Sequence, residues 1–212
     1  MLNVTWRSIS KLRGFMLNNI ISNKQIQTSE NQDDFWYVLR VRVGSEERVR
    51  KVLETHLKTD QYQPFVPTKK YLFRGKNSEN RKEIKYQNKI CFPGYVFVRS
   101  TEESITFIKR TAPIVGCIKE AYFFLYYGTN KWDIAMRACE RNCLDYLMDK
   151  AYNIGTSIGY EEGDYITIIE GPLVGLEGMI IRLDRHKRTA IIKANIMGDS
   201  REIKLPVELF KS

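Results

Sequence analysis

The chain has 212 residues, with 34 Lys or Arg against 25 Asp or Glu, a formal net charge of +9 and a pI near 9.3. Its hydrophobic content of 43%, including 12 tyrosines and 10 phenylalanines, excludes a wholly disordered chain. No run approaches the roughly 20 apolar residues needed to span a bilayer, so a soluble, cytoplasmic protein with no membrane partner is expected.

The charge is distributed unevenly. Residues 1–34 carry about +1, residues 35–120 about +9, residues 121–159 zero and residues 160–212 about −1. A basic field favours anionic partners and speeds encounter with them, and here it sits in one segment. Residues 1–29 hold Arg7, Lys11, Arg13 and Lys24 and no acid. This faintly resembles an organellar transit peptide, but a disordered extension over residues 1–34, or a start placed too far upstream, is the plainer expectation.

Ordered structure is predicted to begin at Phe35. Trp36–Val43 alternates Arg40 and Arg42 with Val41 and Val43, a strand with one wet face. Ser45 is a candidate N-cap, with Glu46 and Glu47 placed at the positive end of a helix dipole. Val49, Val52, Leu53, His56 and Leu57 recur at helical spacing, predicting a helix over 46–58. The run from Gln63 to Phe73 reads as an edge strand because of Pro64 and Pro67. Residues 74–89 read as a solvated loop or hairpin tip. Cys91–Arg99 carries a turn at Pro93-Gly94 and then a buried strand, and a second helix is predicted from Thr101 to Arg110. The order strand, helix, strand, strand, helix predicts an α+β sandwich with helices on an antiparallel sheet.

Residues 121–159 form a partly helical connector, with Trp132–Tyr152 reading as helix and Asn153–Gly159 as the linker end. From residue 160 the pattern changes. Tyr165–Ile169, Gly178–Leu183, Thr189–Ile196 and Glu202–Leu205 are short β-rich runs separated by turn residues. Within about 50 residues that describes a small closed barrel.

No enzyme chemistry is legible. The two histidines, His56 and His186, have no nucleophile or paired carboxylate at a recognisable spacing, and no P-loop or metal motif occurs. No catalytic residue, metal or cofactor is therefore expected. Cys91, Cys117, Cys139 and Cys143 form no C-x-x-C pair. Buried, reduced thiols are expected, with a metal or redox role as the alternative.

The cationic residues of the C-terminal segment are better placed for binding. Between 182 and 193, Arg182, Arg185, Lys187, Arg188 and Lys193, with His186 among them, face a single acid, Asp184. Arginine's planar fork suits phosphates and guanine edges, and RNA is read mostly at loops and bulges. A solvated charged turn is the competing reading.

Two segments resemble a known family. Trp36-Tyr37-Val38 followed by Phe92-Pro93-Gly94-Tyr95-Val96-Phe97-Val98 resembles the N-terminal (NGN) domain of NusG transcription elongation factors. Glu162-Gly163-Asp164, then Gly171-Pro172-Leu173-Val174-Gly175-Leu176-Glu177-Gly178, resembles the KOW motif of their C-terminal barrel. The likeness covers residues 35–120 and 156–210. Gly171-Pro172-Leu173 with Asp184–Ala190 is similar to the LoaP subgroup, specialised processive antiterminators.

The resemblance implies an NGN-like domain over 35–120 and a KOW β-barrel over 160–212. It implies RNA polymerase binding by Phe92, Pro93 and Tyr95, with Trp36 and Phe65 as neighbours, onto the enzyme's clamp helices. For Trp36 and Phe92 a plain core role is the alternative. It further implies that Arg182, Arg185, His186, Lys187, Arg188 and Lys193 bind structured RNA, a leader hairpin. Upstream or non-template DNA would lie beside Lys69, Lys70, Arg74, Lys76, Arg81, Lys82 and Lys85. The implied factor is a non-enzymatic monomer acting in elongation and antitermination; a housekeeping NusG or a ribosome-associated KOW protein are the alternatives. Residues 121–152, with Tyr122, Phe123, Phe124, Tyr126 and Tyr127, depart from the family's connector.

Overall fold

The computed structural model describes residues 34–57, 60–76, 82–162 and 165–211, with backbone alone at 72–76, 82–86, 165 and 211. The expected extension over residues 1–34 thus lies, apart from Asp34, outside the described residues. Of the loop or hairpin tip expected over 74–89, residues 77–81 lie outside them too.

Strand β1 (Phe35–Val41) is the centre of the first unit, and its residues alternate between two dry faces. On one face Tyr37, Leu39 and Val41 join Val96 and Val98 of β5 (Tyr95–Ser100). They pack beneath Val49 and Leu53 of α1 (Glu46–His56) and Phe107 and Val115 of α2 (Ser104–Gly116). On the other face Trp36 and Val38 join Phe65 of β2 (Tyr62–Phe65) and Phe97. β5 pairs antiparallel with both β1 and β2, so Pro64 lies in an edge strand, where its missing N–H costs no ladder bond.

Local details differ from the sequence reading. Ser45 makes no side-chain cap; its hydroxyl accepts instead from Arg42 Nε at 3.3 Å. α2 starts at Ser104 and continues past Arg110 through Pro113 to Gly116. Residues 74–89 are not a plain loop. β3 (Thr68–Lys76) and β4 (Lys82–Ile90) pair antiparallel from Thr68↔Ile90 to Lys76↔Lys82. Backbone pairing needs no apolar side chains, and the bond from Cys91 N to Pro67 O (2.7 Å) closes the foot of the hairpin.

The 121–159 segment is folded onto the first unit. β6 (Ala121–Phe124) adds an antiparallel strand to the free edge of β1, making the order β2-β5-β1-β6. The same edge then receives Leu125 N on Val38 O and Met136 N on Trp36 O, both at 2.8 Å. That edge pairing holds residues 134–136 extended, so helix α3 is confined to Ala138–Leu147 within the longer helix expected. β7 (Asn153–Ile154) runs parallel to the start of β3.

The C-terminal unit has β8 (Ser157–Glu162), β9 (Tyr165–Glu170), a 3-10 turn at Glu177–Met179, β10 (Ile180–Asp184), β11 (Thr189–Ile196) and β12 (Asp199–Lys211). The order is β10-β11-β12-β8-β9. β12 is much longer than the four residues expected. Its first part pairs antiparallel with β11, from Ile196↔Asp199 to Thr189↔Pro206, and its end pairs parallel with β8. The expected closed barrel is not found: among the described residues no pairing joins β9 to β10. The segment 171–179 lies between those two strands in the chain and fills the core there with Leu173 and Leu176. Gly171 turns into that segment at φ 97°, where a Cβ would meet Ser157 Cα at 2.7 Å, so only glycine fits.

Buried residues of both units form one apolar cluster. Trp36, Phe65, Phe92 and Phe97 belong with Leu144 and Leu147 of α3 and with Leu173, Ile192, Ile203 and Leu205. Polar ties cross the same seam: Lys69 Nζ donates to Lys204 O (2.9 Å), Thr156 Oγ1 to Lys70 O (2.8 Å) and Tyr146 OH to Val174 O (2.8 Å).

All four cysteines are free, and only Cys91 and Cys143 are buried; Cys117 and Cys139 are exposed. Burial pushes the Cys91 and Cys143 thiols up to about 11. At pH 8 iodoacetamide should therefore label two cysteines of the native protein and four after unfolding, counted by intact mass. The folded-state pKa values of both buried thiols are raised, so the folded state holds their protons longer. Their contribution to stability should be complete below about pH 9 and lost as pH rises through about 11, visible as a falling urea midpoint.

Candidate functional site

The aromatic residues expected to grip a partner lie on the second face of the β1 sheet. Trp36 meets Phe65 edge-on at 5.1 Å, Phe65 stacks on Tyr152 at 3.8 Å, and Phe92 tilts against Phe97 at 5.8 Å. Trp36, Phe65 and Phe92 are each under 10% exposed and belong to one buried cluster with residues of α3 and the C-terminal sheet. In this arrangement these three side chains lie in the core, the alternative that the sequence left open for Trp36 and Phe92.

Of the expected set, only Pro93 is exposed, and Tyr95 is half-buried. The turn they flank is held from beneath. Gly94 takes φ 84°, its N–H donates to the buried Glu46 carboxylate at 2.6 Å, and its carbonyl accepts from Arg40 Nη1 at 3.2 Å. The Arg40 guanidinium also lies over the Tyr95 ring at 4.7 Å, and Arg201 of β12 lies over the same ring at 5.5 Å.

The cationic residues of the C-terminal unit lie on β10, β11 and the turn between them. Arg182, Arg185, His186, Lys187 and Lys193 are exposed, and Arg188 is partly so. They are not equally available. Arg185 makes a bidentate pair with Glu161, Lys187 lies 3.6 Å from Asp184, and Arg188 lies 3.8 Å from Glu208. Lys187 N–H donates to Asp184 at 3.0 Å, and this bond chiefly holds that carboxyl below its usual range. The structure therefore brings the expected rim together but engages three of its cations with carboxylates. Glu161 and Glu208 are distant in sequence, so the 182–193 window could not reveal them.

Of the DNA-facing cations expected on the β3–β4 hairpin, Lys69 is turned to Lys204 O, and burial lowers its pKa. The side chains of Arg74, Lys76, Arg81, Lys82 and Lys85 lie outside the described residues.

The sequence reading gave no role to a group around β6. Glu140 of α3, 4% exposed, accepts from Tyr127 OH and from Gly198 N–H (2.9 Å), the latter in the β11–β12 turn. Burial, reinforced by that bond, raises the Tyr127 pKa. The only hint in the sequence is the aromatic run at 122–127.

Residues 34–131 match the family model described as "NusG: Transcription termination factor nusG". That likeness therefore spans strands β1 to β6. Curated relatives named "Transcription termination/antitermination protein NusG" extend the likeness beyond residue 131. The Helicobacter pylori (strain ATCC 700392 / 26695) protein is 23% identical over 179 residues, 80% of this chain and 93% of its own. The Rickettsia bellii protein is 21% identical over 196 residues, 89% and 93%. The Vibrio vulnificus protein is 24% identical over 185 residues, 84% and 94%. A solved structure described as "Domain interaction in Thermotoga maritima NusG" has a TM-score of 0.44 at 16% identity, covering 82% of this chain and 94% of that one. The NusG match runs past Gly116 through β6 to Lys131, so it includes the strand that completes the β1 sheet.

Proposed function

We propose that the chain is a NusG-type transcription elongation and antitermination factor. It acts without enzymatic chemistry in the cytoplasm as a monomer, binds RNA polymerase through the β1 sheet unit, and binds structured nascent RNA through the C-terminal unit. The family match over residues 34–131 carries this reading, and the length of chain shared with NusG relatives supports it. The clamp helices of the polymerase are the proposed docking site. Because Trp36, Phe65 and Phe92 are covered, docking on that face requires α3 and the C-terminal sheet to move off it. Pro93 and Tyr95 are the residues positioned for first contact. Upstream or non-template DNA is a further proposed contact of the basic β3–β4 hairpin.

In the C-terminal unit, a leader hairpin would meet Arg182, His186 and Lys193 first. Phosphates would then compete with Glu161, Asp184 and Glu208 for Arg185, Lys187 and Arg188, which weakens each contact and makes it salt-sensitive. We further propose that residues 160–212 serve as a KOW module and that the chain belongs to the LoaP-type antiterminators, on the motifs at 162–178 and 184–190.

Gel-shift titration of the full chain with a structured leader hairpin tests the RNA half. The doubly substituted Arg182→Ala/Lys193→Ala protein should bind about tenfold more weakly at low salt, with a shallower salt slope. Unchanged affinity and slope would remove the RNA role of this rim. Pull-down of the full chain with a clamp-helix fragment tests the other half, with Tyr95→Ala expected to reduce capture.

A further inference from the structure

Two glutamates open α1, and the fold uses them differently. Glu47 is exposed and pairs with Arg50 at 2.8 Å, within its own helix. Glu46 is 1% exposed, and its carboxylate reaches a residue 48 positions away, accepting from Gly94 N–H at 2.6 Å. The other oxygen, Oε2, has no hydrogen-bond partner among the described residues. Burying a carboxylate on a single bond is costly. The helix does not require it, because an acid meets the positive end of the dipole equally well from the surface, as Glu47 does.

The same peptide segment is gripped on its other side. The Gly94 carbonyl accepts from Val41 N–H at 2.9 Å and from Arg40 Nη1 at 3.2 Å. The Arg40 guanidinium lies over the Tyr95 ring at 4.7 Å, and a Cβ at residue 94 would collide with Arg40 Nη1. Gly94 is thus fixed through both of its polar groups, between exposed Pro93 and half-buried Tyr95. Strand pairing needs no such clamp, since β1 and β5 are already in register from Phe35↔Ser100 to Arg40↔Tyr95.

We infer, resting on the polymerase reading above, that Glu46 and Arg40 are positioning residues for the polymerase contact. They hold the Gly94 backbone so that Tyr95, beside Pro93, meets the clamp helices in one orientation. Setting a contact turn beforehand strengthens binding, because its ordering cost is no longer met when the partner arrives. Glu46 acts through Tyr95, so its effect on capture disappears when that ring is gone. A fold defect would instead cost the same with or without the ring.

A double-mutant cycle measured by biolayer interferometry, with the full chain on an immobilised clamp-helix fragment, tests this. Glu46→Ala should weaken binding about tenfold in the parent and no more than about twofold in Tyr95→Ala. Glu46→Gln keeps an acceptor for Gly94 N–H and should stay within about twofold of the parent. Gly94→Ala, which forces Arg40 aside, should match Glu46→Ala. Parent-like binding by Glu46→Ala overturns the positioning role and leaves the polymerase reading standing. So does an equal loss on both backgrounds, or a Glu46→Gln loss as large as that of alanine. No binding by the unsubstituted chain removes the polymerase reading and the positioning role with it.

Discussion

Replacing Trp36 by alanine should lower the unfolding free energy by about 3–5 kcal/mol, the cost of deleting a large aromatic from a packed core. Trp36 is 3% exposed and sits where the two units share their apolar interior. Its ring meets Phe65 edge-on, and its carbonyl accepts from Met136 N–H, so strand β1 and the segment leading into α3 are both anchored at this residue. The surrounding residues come from a sheet, a helix and a second sheet, which limits how far the site can collapse around the void. Urea unfolding followed by far-UV circular dichroism provides the measurement, and Trp36→Phe should recover most of the loss. A cost below about 1 kcal/mol would mean that the ring is solvent-exposed in solution and free to act as a surface anchor. The result bears directly on the polymerase reading: if Trp36 is core, weaker polymerase capture by Trp36→Ala reports a damaged fold and carries no information about contact.

Glu140→Ala should have the second largest effect, about 3 kcal/mol. The loss is the sum of two charge-assisted bonds and the desolvation of donors left without an acceptor. The carboxylate is 4% exposed and receives Tyr127 OH on one oxygen and Gly198 N–H on the other. It is therefore a clasp between the β6 loop, helix α3 and the β11–β12 turn. Two readouts separate this role from general damage. Amide exchange at Gly198 should accelerate far more than exchange in α1, which packs on the opposite face of the sheet. The Tyr127 hydroxyl, held high by burial and by the Glu140 bond, should titrate at lower pH in an ultraviolet titration of the variant. Glu140→Gln keeps one acceptor oxygen and puts an NH2 donor in place of the other, so it should fall between the parent and the alanine variant. Unchanged exchange at Gly198 would show that the turn is held by apolar packing alone.

Both predictions lie at positions where the sequence was least informative. The aromatics at 36 and 65 are legible as strand residues, because β-branched and aromatic runs bounded by Pro and Gly have a period of two. Periodicity tells which side of a strand is apolar and not what lies against it. An apolar face meant for a partner and one covered by the same chain give the same pattern. The candidate cations were legible as a cluster for a similar reason, since a run from 182 to 193 with five Lys or Arg is local. Their pairing with Glu161 and Glu208 was not, because each pair closes over roughly 20 residues.

By itself the sequence determined the elements whose information is local. These are strand β1, helix α1 with its acidic first turn, the Pro93-Gly94 turn into β5, strand β11 and the glycine at 171. Only the tertiary structure decided that residues 121–136 complete the edge of the β1 sheet, that β12 runs 13 residues from one partner strand to another, and that among the described residues no pairing joins β9 to β10. Each of these depends on backbone hydrogen bonds between segments remote in sequence. Such bonds are made by groups common to nearly every residue, so side-chain order along the chain does not encode them. The burial of Trp36, Phe65 and Phe92 belongs with them: apolar surface moves out of water against whichever apolar surface the folded chain brings near it.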